Sequence, residues 1–226
     1  ATLSSQPLEI LKHGYTLTDS HIVGQELARA KALFLGPGLG RMKETSCFLH
    51  SLSSSLTQPT VVDADALYHF SLSPFPLPQE TLFTPHRGEL SQLLHTSLSP
   101  QPSLAELALW RSYAEQQRVT LLIKGAISWV VSPGQPIWVN AMGDPSMATA
   151  GSGDLLTGLL AALLAQGLLP RQAATLGCYI HGLAGRLAAT KLGSDRGLIA
   201  SDLVDTLPRA ISRLLSPLNR PNLLWV

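Results

Sequence analysis

Asn140 to Gln166 reads NAMGDPSMATAGSGDLLTGLLAALLAQ: a polar loop of small residues that breaks into an apolar helix, with one carboxylate, Asp154, at the seam. The run Ala150-Gly151-Ser152-Gly153 has almost no side-chain bulk, so its backbone can take positive φ and let a ligand approach its N–H groups closely. From Leu155 to Leu164 only Thr157 and Gly158 interrupt the apolar residues, the pattern of a helix buried on nearly every face. The first turn of that helix aims free N–H donors and the positive end of its dipole at the glycine turn, where a phosphate is stabilised. Asp154 has two readings there. It is either an N-cap that accepts from N–H groups two or three residues on, or a general base that takes a hydroxyl proton while the turn holds a transferring phosphoryl group.

Composition narrows the partners. With 226 residues and 45% hydrophobic content, the chain can bury the core of one large α/β domain. A net charge of +1 without a Lys/Arg cluster leaves no electrostatic footprint for nucleic acid or a membrane surface, so small molecules are the expected partners. Cys47 and Cys178 are too few for a disulfide framework and lack metal-ligand spacing, which reads as two buried thiols in a reducing compartment. The longest uncharged apolar run, Leu155 to Pro170, falls short of the ~20 residues a membrane span needs. No leader is visible, and the cytoplasm is the expected location.

Outward from the glycine turn, the chain repeats a strand–loop–helix pattern. Asp19 and Ser20 offer a cap for a helix reaching about Lys31, after an irregular stretch from Ala1 to Gly14. Ala32 to Leu35 is a short strand that ends in GPGLGR, Gly36 to Arg41, which is read either as a ligand loop or as an ordinary tight connection. Val61 and Val62 form a second strand with Asp63 and Asp65 at its carboxyl end, where open parallel sheets bind ligands and where an Asp also caps the next helix. A third strand, Thr81 to Thr84, is stopped by Pro85, and His86 to Glu89 lead into a helix. His86 is a ligand contact or a solvated loop histidine.

A helix from Leu104 to about Gln117 sets Leu104, Leu107, Leu109 and Trp110 at helical spacing for packing. Val119 to Ile123 is a strong strand ending in Lys124, whose ammonium must reach solvent or an anion. Ile127 to Val131 and Ile137 to Asn140 then flank a turn, Ser132 to Pro136, and read as a hairpin that delivers the chain to the glycine turn. A helix from Pro170 through Leu192 carries small residues for close packing at Gly177, Gly182, Ala184 and Gly185, and His181 reads as a structural histidine. Asp202 is an early-turn helix acid. Pro208 to Val226 closes the domain with a helix and a short terminal strand, Leu223 to Val226.

The ordered set GPGLGR, VVDADAL, TPHRGEL, LLIKGAIS, the Asn140–Gln166 stretch and YIHGLAGRLAATKLGSDRGLIASDL resembles the ADP/ATP-dependent NAD(P)H-hydrate dehydratases, ribokinase-like repair enzymes often fused to an epimerase. The resemblance spans Gly36 to Leu203. It implies an α/β fold, a mostly parallel central sheet flanked by helices on both faces, with a short β-hairpin. It also implies a lyase that restores hydrated NADH or NADPH by phosphorylating a ring hydroxyl and losing phosphate.

Carried over residue by residue, the resemblance makes Asp154 the catalytic acid–base residue, which also contacts substrate. Lys124, Gly125, Ala126, Ile127 and Ser128, with Gly151, Ser152 and Gly153, become nucleotide-binding. Gly38, Gly40, His86, Arg87 and Glu89 become substrate-binding. The expected cofactors are ADP or ATP and the Mg²⁺ that arrives with it; no protein metal cage is expected, with Asp63 and Asp65 at most water-mediated contacts.

The chain departs from the family pattern at Arg87, where proline is common, and at Tyr68, where asparagine is usual. It also lacks the family's opening strand, Gly-rich loop and helix, so residues 1–226 are expected to form a single domain with an exposed apolar flank. A partner chain or a homo-oligomer is expected to cover that flank. The other readings are a ribokinase-like kinase of a small alcohol of the thiazole or pyrimidine type, and a truncated, non-catalytic nucleotide-binding protein.

Overall fold

The structure, a computed structural model, describes Thr16 and residues 20–194 and 196–216. The Ala1–Gly14 stretch, the cap at Asp19 and the terminal strand Leu223–Val226 lie outside the described residues.

Among the described residues six strands form one sheet in the order β1 (Leu33–Leu35), β2 (Thr60–Val62), β3 (Thr81–Phe83), β4 (Thr120–Ile123), β5 (Ser128–Val131), β6 (Trp138–Asn140). Strands β1 to β4 are parallel, as apolar runs separated by helices require, whereas β4–β5 and β5–β6 pair antiparallel. The sequence reading contained only the second of these hairpins. The first turns through residues 124–127, so the lysine loop is itself a hairpin tip.

Alternation along the strands assigns the two faces. Val62, Phe83, Leu121 and Ile123 pack with Leu49, Leu67, Phe70, Leu90 and Trp110 from α2 (Lys43–Ser53), α3 (Ala64–Leu72), α4 (Arg87–Leu93) and α5 (Leu104–Gln117). Val61, Leu82, Leu122 and Val130 point the other way, onto Leu156, Leu160 and Leu164 of α6 (Ser152–Ala165) and Ala173, Ala174 and Cys178 of α7 (Pro170–Leu192). Helix α8 (Ala200–Leu215) packs outside α7, and α1 (Ser20–Leu27) lies beside α2.

Close approach is bought with glycine at two places. A Cβ on Gly177 would stand 2.6 Å from Leu160 Cδ2 of α6, and one on Gly185 would stand 2.2 Å from Met147 Sδ.

Several local expectations change. Helix α1 stops at Leu27 rather than near Lys31, because Arg29 and Ala30 donate to Glu26 and Leu27 and tighten the chain into a turn. In α5, Trp110 is fully buried but Leu104 is 86% exposed and Leu109 is also exposed, so only part of the apolar spacing packs. Pro208 lies inside α8 rather than at its start. Cys47 is exposed, while Cys178 is buried as expected. Among the described residues strand β1 is a sheet edge, and its Phe34 is 52% exposed.

Gly36 sets the exit from β1: its φ is +133°, and a Cβ there would lie 1.7 Å from the carbonyl oxygen of Asp63. Gly36→Ala is therefore expected to lower folding stability by about 3 kcal/mol or more, read from the urea midpoint. A wild-type midpoint would contradict the close approach.

Candidate active site

The parallel ladder brings four loops to one edge of the sheet. Beyond the strands it is extended by Asp63 N–H donating to Leu35 O, Thr84 N–H to Val62 O and Lys124 N–H to Pro85 O. GPGLGR, Asp63, His86 and Lys124 therefore all leave the carboxyl ends of their strands side by side.

The first loop is pinned from α3. Asp65 accepts from Gly40 N–H at 2.9 Å and from Arg41 Nε at 3.0 Å, and buried His69 bonds the Gly40 carbonyl at 3.0 Å. Asp65 thus ties the loop down rather than capping α3. Gly38 and Gly40 have φ of +72° and +78°, with open space where a Cβ would be.

Asp63 occupies the N-cap position of α3, yet the cap that an Asp at this position offers is not made. Its buried carboxylate instead accepts from Lys124 Nζ at 2.6 Å and from Thr157 Oγ1 at 2.7 Å. Lys124 therefore reaches an anion, as the end of a buried strand requires, but the anion is a protein carboxylate.

His86 is the N-cap of α4. Its Nδ1 accepts from the N–H groups of Gly88 (3.0 Å) and Glu89 (3.2 Å), and Glu89 Oε2 accepts from the His86 N–H at 2.8 Å. Because Nδ1 is an acceptor, a neutral ring carries its proton on Nε2, 3.5 Å from Glu89 Oε1. Arg87 turns elsewhere: it donates to the Ser99 carbonyl, stands 3.6 Å from Glu106 and lies over the Trp110 ring.

The glycine turn takes the conformation its composition allows. Gly151, at φ +83°, caps α6, which starts at Ser152 and puts Asp154 in its first turn. Ser152 N–H donates to Thr149 O and is thereby used, whereas among the described residues no acceptor is recorded for the N–H groups of Gly151, Gly153 and Asp154. The Asp154 carboxylate is exposed, has no recorded hydrogen bond or ion pair among the described residues, and does not cap the helix.

A cavity of about 720 Å³, within the range that holds small ligands, opens beside this turn. Its walls include His86, Lys124, Gly125, Ala126, Ser128, Ser152 and Gly153. Gly143 closes against the lysine loop, where a Cβ would stand 2.7 Å from Ala126 O. Ile127, Gly151, Arg87, Glu89, Asp154, Gly38 and Gly40 are not among the walls, although Asp154 directly follows Gly153.

Wall residues without a predicted site role include Asn140, Asp144, Met147, Cys178 and Gly182. Asn140 Nδ2 donates to Cys178 Sγ at 3.4 Å, and burial pushes that thiol up to about 12. Asp144 is held below the usual carboxylate range, first by the Ser146 hydroxyl and then by the Ser146 N–H. Of these, only Gly182 had a signal in the sequence, as a small residue in a long helix; a Cβ there would stand 2.8 Å from Met142 O. Among the described residues no group of three or more His, Cys, Asp and Glu is placed to hold a metal ion. No described helix is long and apolar enough to cross a membrane.

A doubly covered, mostly parallel sheet with a glycine turn opening a buried helix defines a ribokinase-like α/β protein. A ribokinase-like superfamily protein from Enterococcus faecalis has this fold at TM-score 0.73 and 25% identity, over 87% of this chain and 68% of its own. The sequence profile of the NAD(P)H-hydrate dehydratase family matches residues 1–209, and the chain belongs to that family. The bifunctional NAD(P)H-hydrate repair enzyme Nnr of Moorella thermoacetica is 40% identical over 194 residues, 84% of this chain but 36% of its own length. The chain thus spans about a third of the curated relatives it matches. An ADP/ATP-dependent NAD(P)H-hydrate dehydratase from Bacillus subtilis, co-crystallised with ATP/Mg²⁺, is similar at TM-score 0.64 and 27% identity, over 84% of this chain and 69% of that one.

His181, also a wall residue, is buried and lies 3.4 Å from Ser152 Oγ, the structural place expected for it. Burial pushes its pKa down to about 4; Ser152 opposes and the charge of Lys124 assists. An unfolded chain takes up this proton below about 6.5 while the native state does not, so stability falls as pH drops from about 6.5 to 4 and levels off below. Over that window the wild type is expected to lose roughly 3 kcal/mol more than His181→Gln, measured by urea unfolding at pH 7 and pH 4. Parallel losses in the two proteins would contradict a buried neutral imidazole.

Proposed function

We propose that this chain dehydrates hydrated NADH and NADPH, with ADP or ATP as the phosphoryl donor. The observation that carries the reading is the convergence, at one sheet edge, of a lysine, a helix N-terminus with unused N–H groups and an unpaired carboxylate, all beside a cavity of nucleotide scale. Family membership favours this reaction over phosphorylation of a thiazole or pyrimidine alcohol.

On this reading the nucleotide lies in the cavity between residues 124–128 and the glycine turn, and the hydrated nicotinamide approaches from the side of Gly38, Gly40 and His86. Asp154 takes the ring-hydroxyl proton as that oxygen attacks the terminal phosphorus. The N–H groups of Gly153 and Asp154 and the Lys124 ammonium stabilise charge on the moving phosphoryl oxygens. Loss of phosphate from the ring, with a proton from the adjacent carbon, then restores the dihydropyridine. His86 offers Nε2–H as a donor that orients the substrate. Mg²⁺ would come in on the nucleotide phosphates and neutralise their charge. Arg87 and Glu89 support the substrate loop from behind, through Ser99 and the His86 N–H.

Asp154→Asn keeps size and polarity but removes the base. It is expected to cut turnover of hydrated NADH by roughly 10²–10⁴-fold. ADP affinity is expected to stay within about twofold, since a base lost from the chemical step leaves binding intact. Turnover retained in the variant would remove Asp154 from the chemistry. A wild-type chain that binds nucleotide without turning over would instead support the non-catalytic reading.

The half-exposed β1 edge supports a second proposal, that another chain or a second copy lies along it. Sedimentation of the chain is expected to show a dimer that Phe34→Lys dissociates. A wild-type monomer would contradict self-association.

A further inference from the structure

We infer that Asp63 is a positioning residue: its carboxylate sets the Lys124 ammonium over the first turn of α6, where the nucleotide phosphates of the proposed reaction bind. The inference rests on that reading and adds to it a residue that acts through another.

Asp63 is 1% exposed. A charge so deeply buried is costly unless paired and hydrogen-bonded. Both oxygens are engaged, but neither serves the helix that Asp63 begins: the partners, Lys124 and Thr157, lie 61 and 94 residues away in the chain. The carboxylate thus links the end of β2, the end of β4 and α6.

Lys124 has three donors on a flexible stem, and left alone its ammonium would spread through the cavity and solvent. One donor goes to Asp63, and among the described residues no other hydrogen bond is recorded for Nζ. A Cβ built on Gly153 would lie 3.8 Å from Nζ, so the ammonium stands against the first turn of α6 beside an N–H with no recorded acceptor. Thr157 Oγ1 also donates to Gly153 O at 3.0 Å. Lysine and glycine turn are thereby referred to the same carboxylate. The consequence is that the contribution of Lys124 to phosphate binding depends on Asp63.

Simple electrostatics predicts the opposite sign. Deleting a negative charge beside an anion site should tighten anion binding, so a loss of affinity isolates the positioning role. The test is calorimetric titration of the 226-residue chain with ADP and, separately, ATP, using wild type, Asp63→Asn and the double variant Asp63→Asn/Lys124→Met. Asn is close to Asp in shape and keeps an oxygen for Thr157, and the double variant strands no buried charge.

Asp63→Asn is expected to weaken nucleotide binding about tenfold, the scale of one charge-assisted hydrogen bond. The double variant should lie within about twofold of the single one, because Lys124 has already lost its place. Unchanged or tighter binding by Asp63→Asn, or a further tenfold loss in the double variant, would overturn the inference and leave the proposed function standing. A wild-type chain that binds neither nucleotide overturns both. If Asp63→Asn lacks a cooperative melt, Asp63→Glu keeps the charge but shifts the carboxylate by one methylene. The same weakening is then expected, and wild-type affinity overturns the inference.

Discussion

The buried contact of Asp63 with Lys124 and Thr157 is the constraint from which the geometry of the site follows. Parallel strands alone bring loop ends to one edge of a sheet, but they do not say how a helix on one face stands relative to a side chain rising from the strand ends. Here one carboxylate does so. It takes a donor from the β4 end on one oxygen and a donor from α6 on the other, so the lysine and the glycine turn are held to one reference point. The arrangement is also unforgiving, since removing either donor leaves a buried charge incompletely satisfied.

Around that contact the fold relies on the absence of side chains. Gly36 lets the first loop pass the carbonyl of Asp63, Gly143 lets the loop before the glycine turn close on Ala126, and Gly182 lets α7 approach Met142. The contacts at Gly143 and Gly182 shape walls of the cavity. Asn140 and Cys178 add a buried polar bond between β6 and α7 at its back, and Cys178 is a neutral packing residue there because burial disfavours its thiolate.

Much of this could be read in the sequence, and the parts that could not share a physical reason. Val61-Val62 and Leu121–Ile123 announce strands buried on both faces, and the glycine turn before an uncharged apolar run announces α6, because periodicity and backbone freedom are local properties. Thr157 was visible only as an interruption of that run; its meaning as a donor to a buried acid needed Asp63, far away in the chain. By the same logic the local capping rule failed for Asp63, whose partners are remote, while the cap that His86 makes on α4 was not read from the sequence at all. In α5 the apolar spacing named four candidates, but only the packing of the sheet face decides that Trp110 goes in while Leu104 stays out.

The place of a terminal phosphate decides whether Asp63 holds Lys124 for the nucleotide, and a crystal structure of the chain with ATP and Mg²⁺ reads it. A phosphate oxygen is expected within about 3.2 Å of both Lys124 Nζ and the Gly153 N–H, hydrogen-bonding distance, with Lys124 still on Asp63. Phosphates bound away from the glycine turn, or a Lys124 swung off Asp63 to reach them, would contradict this arrangement.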